Sequence, residues 1–125
     1  MRHLTAIIKD ILKGYEGLQG KYIATGRLED KQDTYAIIPM GRDEAVRRYT
    51  DGTALRSMHF KVMAMLSCGL GDEDEHLGLM QGICDYLTEY DDNITFRQVS
   101  PPVMEKAGSA SGIYSFTMDC IYLKN

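Results

Sequence analysis

Apolar residues recur over the first fifteen positions with the period of a helix. Leu4, Ile7, Ile8, Ile11, Leu12 and Tyr15 fall on one side at about 100° per residue, while Lys9, Asp10 and Lys13 lie opposite. The pattern predicts an amphipathic helix over about residues 4–15, closed near Gly14 and Gly17. Periodicity then fades. "KYIAT" suits a short strand near residue 22, and "GRLEDKQD" reads as an exposed polar loop. "TYAIIP" follows as a strand that Pro39 either stops or confines to a sheet edge.

Around Asp51-Gly52 the period changes to two. This dipeptide sits between two β-rich runs and signals a hairpin; a two-residue type I′ turn there requires φ > 0 at both central positions. Beyond it Met58, Phe60, Val62, Ala64 and Leu66 alternate with Ser57, His59, Lys61, Met63 and Met65, the mark of a half-buried strand. "SCGLG" breaks it. A second helix is predicted over about residues 73–91, with Leu77, Leu79, Met80, Ile83, Cys84, Tyr86, Leu87 and Tyr90 on its apolar side. Gly78 and Gly82 each cost this helix about 1 kcal/mol relative to alanine. One turn apart, they would admit a close neighbour.

"NITFRQVS" reads as a further strand ended by Pro101-Pro102, and residues 101–112, "PPVMEKAGSASG", read as a loop. In the last strand Tyr114, Phe116, Met118, Cys120 and Tyr122 point one way, and Ser115, Thr117, Asp119, Ile121 and Leu123 the other. The order is α-β-β-β-α-β-β, with an optional short strand near residue 22. Short hairpins favour a mainly antiparallel sheet, and two one-sided helices require one sheet face to cover, which makes residues 1–125 a single α+β domain. The uncovered face would carry His59, Lys61, Met63, Met65, Ile121 and Leu123. Apolar groups on an open face mark a contact surface unless a loop covers them.

Composition narrows the classes. Apolar residues at 44% and charged ones at 26% are in the globular range and exclude a wholly disordered chain. No apolar run approaches the ~20 residues of a membrane span, and Lys9 and Asp10 interrupt the N-terminal stretch too early for a signal-peptide core. Net charge is −4 with Lys and Arg dispersed, so no basic stripe offers specific grip on nucleic acid. Cys68, Cys84 and Cys120 are odd in number and widely spaced, which fits buried reduced thiols better than a disulfide frame. As a thiol nucleophile, any of them would need His59 or His76 brought close by the fold.

"GDEDEHLG", residues 71–78, is the most enzyme-like patch. Asp72 and Glu75 have the spacing of a capping box, and Glu73, Asp74 and Glu75 fill a first turn where the helix dipole favours negative charge. About the helix axis Glu73, Asp74 and Glu75 lie roughly 60°, 160° and 100° from His76, so they diverge instead of converging on an ion. Cys84 lies eight residues further, about 12 Å along the axis. No metal, nucleotide or nucleophile-elbow motif occurs, so no cofactor and no catalytic residue is expected.

Tyr35, Ile37 and Pro39 form a "Y-x-I-x-P" strand, Tyr49, Asp51 and Gly52 a "Y-x-D-G" hairpin, and Arg56 and Phe60 lead the alternating strand. In this the stretch "YAIIPMGRDEAVRRYTDGTALRSMHFKVMAML" resembles the minor capsid or tail-terminator proteins of tailed phages and prophages of Gram-positive bacteria. Ile38 stands where that pattern often carries a polar residue. The resemblance implies a non-enzymatic structural protein at the head-proximal end of the virion tail, assembled in the host cytoplasm. It would form a homo-hexameric ring that ends growth of the tail tube and docks the head connector. Implied partners are copies of itself, the tail tube protein and a connector or stopper protein, with the genome passing through the ring and no membrane contact. The sheet face and the 101–112 segment, including Met104 and Lys106, would supply subunit or lumen contacts. A head–tail connector or stopper is the nearest alternative; a small-ligand module on the open face and a cysteine-dependent enzyme are the others.

Overall fold

The computed structural model describes residues 4–28, 33–67, 72–90, 94–107 and 111–124, with no side chain described at 41–47, 67, 72, 107, 123 and 124. Helix α1 spans Leu4–Lys13 and is followed by one 3-10 turn at Glu16–Leu18. Strands β1 (Tyr22–Thr25), β2 (Thr34–Arg48) and β3 (Ala54–Ser67) precede helix α2 (Asp72–Glu89). Strands β4 (Ile94–Gln98), β5 (Val103–Ala107) and β6 (Ser111–Lys124) complete the chain. All six strands share one sheet in the order β1-β2-β3-β6-β4, with β5 also paired to β6. Only β1–β2 is parallel. The protein is α+β, mainly antiparallel, with both helices on one face.

The core follows the alternation. Met58, Phe60, Val62, Ala64 and Leu66 on β3 and Tyr114, Phe116, Met118 and Cys120 on β6 are buried beneath Ile8 and Leu12 of α1 and Met80, Ile83, Cys84 and Leu87 of α2. Burying each of the larger apolar side chains stabilises the fold by roughly 1.5–3 kcal/mol. His76 near the start of α2 packs edge-on against Tyr114, and Tyr90 just past its end packs against Phe96. Phe96 is the register partner of Cys120, so these two contacts lie six residues apart along β6, about 20 Å, and fourteen along the helix, about 21 Å. The helix therefore runs along β6.

The helices meet through two reciprocal tyrosine–glycine contacts. A Cβ at Gly82 would lie 2.6 Å from the Tyr15 hydroxyl, and one at Gly14 would lie 2.8 Å from the Tyr86 hydroxyl. The two rings meet at a 47° tilt, 5.1 Å between centroids. The close neighbour expected at the helix glycines is thus real at Gly82, whereas Gly78 is exposed with nothing within 4 Å. The two glycines should respond oppositely to alanine. Gly78→Ala gains up to about 1 kcal/mol of helix propensity, read as a higher urea midpoint. Gly82→Ala forces Tyr15 off the seam and lowers the midpoint.

Two features decide what the sequence left open, and two differ from its expectation. The short strand near residue 22 exists as β1, parallel to β2. Pro39 does not stop its strand, because it stands on a free edge. The Gly26 N–H donates to the Ile37 carbonyl at 2.9 Å, so that side of β2 faces β1. Two residues on, the nitrogen of Pro39 points the same way, past the last residue that β1 reaches, where a missing N–H breaks no ladder bond. The hairpin is a three-residue one: Tyr49 N–H donates to the Thr53 carbonyl at 3.0 Å, Gly52 N–H donates to the Tyr49 carbonyl at 3.3 Å, and of the tip residues only Gly52 has positive φ. That is the type I turn plus left-handed glycine arrangement. Asp51 need not adopt φ > 0; its carboxylate instead accepts from the Thr53 N–H and hydroxyl at 3.0 and 2.6 Å.

The last difference is the supposed 101–112 loop, which contains β5. β4 and β5 are two pieces of one edge strand lying in succession along the same side of β6. Pro101 and Pro102 interrupt it because they have no N–H to donate. At the break Ser100 substitutes for the ladder: its hydroxyl accepts from the Thr117 N–H at 3.0 Å, while the Val99 N–H donates to the Thr117 carbonyl at 3.0 Å.

Candidate functional site

The sheet face opposite the helices has no helix over it among the described residues. The register sets its side chains in rows: Met40–His59–Asp119–Arg97, then Ile38–Lys61–Thr117, then Ala36–Met63–Ser115–Val103, then Thr34–Met65–Ile113–Lys106. Ile38, Met63, Met65, Ile113 and Ile121 are half-buried there, leaving apolar surface to solvent. Ala24, Ala36 and Ser115, the small side chains of these rows, are buried.

The structure brings together most of the residues expected on this face. His59, Lys61, Met63, Met65 and Ile121 lie on it, and Lys106 joins them exposed on β5. Leu123 pairs in register with Leu55, but its side chain lies outside the described residues. Met104 is different. It pairs with Tyr114 and packs against the core on the helix side, and the one-residue bulge that follows it brings Lys106 into register with Ile113 on the open face.

Two ion pairs organise the face. Lys61 donates to Glu105 at 2.5 Å, linking β3 to β5 across β6. The Asp119 carboxylate, only 7% exposed, lies between two basic side chains: an Arg97 guanidinium N–H donates to Oδ2 at 2.8 Å, and His59 Nδ1 lies against Oδ1 without the alignment of a hydrogen bond. A buried carboxylate is stable only when paired, and the adjacent register of β3, β6 and β4 supplies both partners. Reading the sequence alone missed this trio. An Asp inside a strand is unusual by propensity, and its phase matches that of His59; together these were the available signal.

The acid/base candidates do not assemble. Glu73, Asp74 and Glu75 are exposed at the start of α2, and the capping role of Asp72 concerns a side chain outside the described residues. Among the described residues no three His, Cys, Asp or Glu side chains could hold a metal ion, and no helix is long and apolar enough to cross a membrane. Cys84 and Cys120 are buried free thiols, and Cys120 faces the helices while His59 faces the open side. Cys68 lies outside the described residues.

Burial, with the Asp85 charge second, pushes the Cys84 thiol from 9.0 up to about 11. Burial likewise pushes Tyr35 from 10.0 up to about 12, with Asp33 adding to it. Both groups hold their proton more tightly when folded, so their contribution is complete below pH 9. It is lost as pH climbs from about 9 to 11 for Cys84 and from about 10 to 12 for Tyr35. Urea midpoints should fall across that range, and less steeply in Tyr35→Phe. Alkylation of Cys84 at neutral pH should wait on unfolding, since the thiolate is the reactive form.

The chain matches no protein-family model and no curated protein.

Proposed function

We propose that this chain is a structural protein of a phage or prophage tail, a tail terminator that works as a homo-oligomeric, hexameric ring. The observation that carries the reading is the open sheet face: among the described residues the wide sheet has helices on one side only, with methionine and isoleucine side chains partly exposed on the other. Surfaces of that kind are completed by other protein chains. The resemblance of the Tyr35–Phe60 stretch to tail-terminator proteins supplies the kind of assembly. On this face Lys61 is paired with Glu105 and Arg97 with Asp119.

In this role the ring would sit at the head-proximal end of the tail tube, end its growth and dock the head connector. An acidic chain suits a channel through which a genome passes, since it holds phosphates weakly. A tube-growth assay tests the function: added to polymerising tail tube protein, the chain should arrest elongation and cap one end. Tubes that lengthen unchanged in its presence would contradict the role.

A further inference from the structure

Asp51-Gly52, at the tip of the β2–β3 hairpin, joins two mutually reactive groups as well as two strands. Of the twelve glycines only Gly52 follows an Asp or Asn. Glycine leaves its backbone nitrogen unshielded by a side chain, so that nitrogen can attack the carboxyl carbon of the aspartate before it. A C–N bond forms, the amide proton and the carboxyl hydroxyl leave as water, and the product is a succinimide ring. Water then opens the ring. Addition at the side-chain carbonyl restores aspartate. Addition at the main-chain carbonyl breaks the original peptide bond and leaves Gly52 linked through the side-chain carboxyl, as isoaspartate. The two steps release and take up water, and consume no oxidant or other co-reactant.

The tip is accessible to this reaction and restrained against it. Asp51 and Gly52 are both exposed, and a Cβ on Gly52 would meet nothing within 4 Å. Ring closure needs a neutral carboxyl, whose hydroxyl can leave as water. The Thr53 hydroxyl and N–H both donate to Asp51 Oδ1, at 2.6 and 3.0 Å, and so favour the anion. These bonds hold the Asp51 carboxyl below its ordinary range. Ring closure also removes the proton of the Gly52 N–H, which donates to the Tyr49 carbonyl at 3.3 Å. The bond from the Tyr49 N–H to the Thr53 carbonyl, at 3.0 Å, fixes the two ends of the tip.

We propose that Asp51-Gly52 is the site of spontaneous isoaspartate formation in this chain, and that Thr53 guards it through its two hydrogen bonds to the carboxylate. The guard exists only while the hairpin is formed, so the pair ages fastest in the unfolded chain. Its product adds one carbon to the main chain between Tyr49 and Thr53. The three-residue turn then no longer fits, and the Arg48–Ala54 end of the ladder loosens. The inference is independent of what the chain assembles into.

The test ages the full wild-type chain at neutral pH, folded in buffer and unfolded in guanidinium chloride. Isoaspartate is then located by isoaspartyl methyltransferase labelling and peptide mass spectrometry. The unfolded chain accumulates it chiefly at residue 51, and the folded chain does so at least about fivefold more slowly. Thr53→Val keeps the β-branched shape and the N–H but loses the hydroxyl. In that folded variant residue 51 isomerises at least about threefold faster than in folded wild type. Thr53→Ser, which retains a hydroxyl, stays at the wild-type rate. Circular dichroism and denaturant midpoints verify that both variants are folded, and the comparison of folded with unfolded wild type stands without them. Isoaspartate formed mainly at another residue overturns the site. Equal rates in folded and unfolded wild type, or in folded wild type and folded Thr53→Val, overturn the guard.

Discussion

Phe60→Ala is expected to destabilise the fold by about 3–5 kcal/mol, a large part of the roughly 5–15 kcal/mol that holds a domain of this size. Phe60 is fully buried, packs edge-on against Phe96 at 6.0 Å, and lies under the helices at the centre of the sheet. Removing its ring leaves a cavity that the surrounding strands cannot close, because β2 and β6 are held to β3 by their ladders on both sides. Met63 sits on the same strand in the opposite phase and is only half-buried. Met63→Ala should cost less than half as much. Paired denaturant titrations measure both, and equal losses would mean that the bare face is covered in the isolated chain.

The second large effect reverses a common intuition about charged groups. The double substitution His59→Ala with Arg97→Ala removes two side chains that are largely exposed, yet it should cost roughly 1–3 kcal/mol. It strips both partners from the buried Asp119 carboxylate and leaves the charge to water that reaches it poorly. Asp119→Ala should cost less, because the His59 and Arg97 side chains it leaves behind are already largely in solvent. Thermal melts at neutral pH rank the two variants. If Asp119→Ala proved the more damaging, the carboxylate would matter for packing and not for its pairing.

The parts of the fold that were legible in the sequence are those where one local period decides the outcome. The alternation from Met58 to Leu66 and from Tyr114 to Cys120 fixed which face is buried, because a strand has only two faces and a one-residue slip would expose the whole apolar set. The α1 stripe was equally plain. β5 was hidden because its sequence is rich in Pro, Gly and Ser at both ends, and what makes it a strand is the length of β6, which outruns β4 and offers free ladder groups at Gly112–Ser115. The hairpin was placed correctly but typed wrongly, since the Asp51 side chain can close the tip without a left-handed backbone at Asp51.

On the candidate site, His59, Lys61, Met63, Met65 and Ile121 were placed on the open face from phase alone. Met104 and Lys106 share one phase in the residue pattern, and the bulge that puts them on opposite faces leaves no mark there. Asp119 was assigned to the right face as an ordinary polar residue. Its burial between His59 and Arg97 depends on strand order, with β6 between β3 and β4, and order is a property of the whole chain.

Electron microscopy of the purified protein tests the central claim most directly, with light scattering on the same sample. The account predicts closed rings of one size, in equilibrium with the single chain on dilution. A monodisperse monomer at every concentration, which also leaves tail-tube ends uncapped, would contradict it.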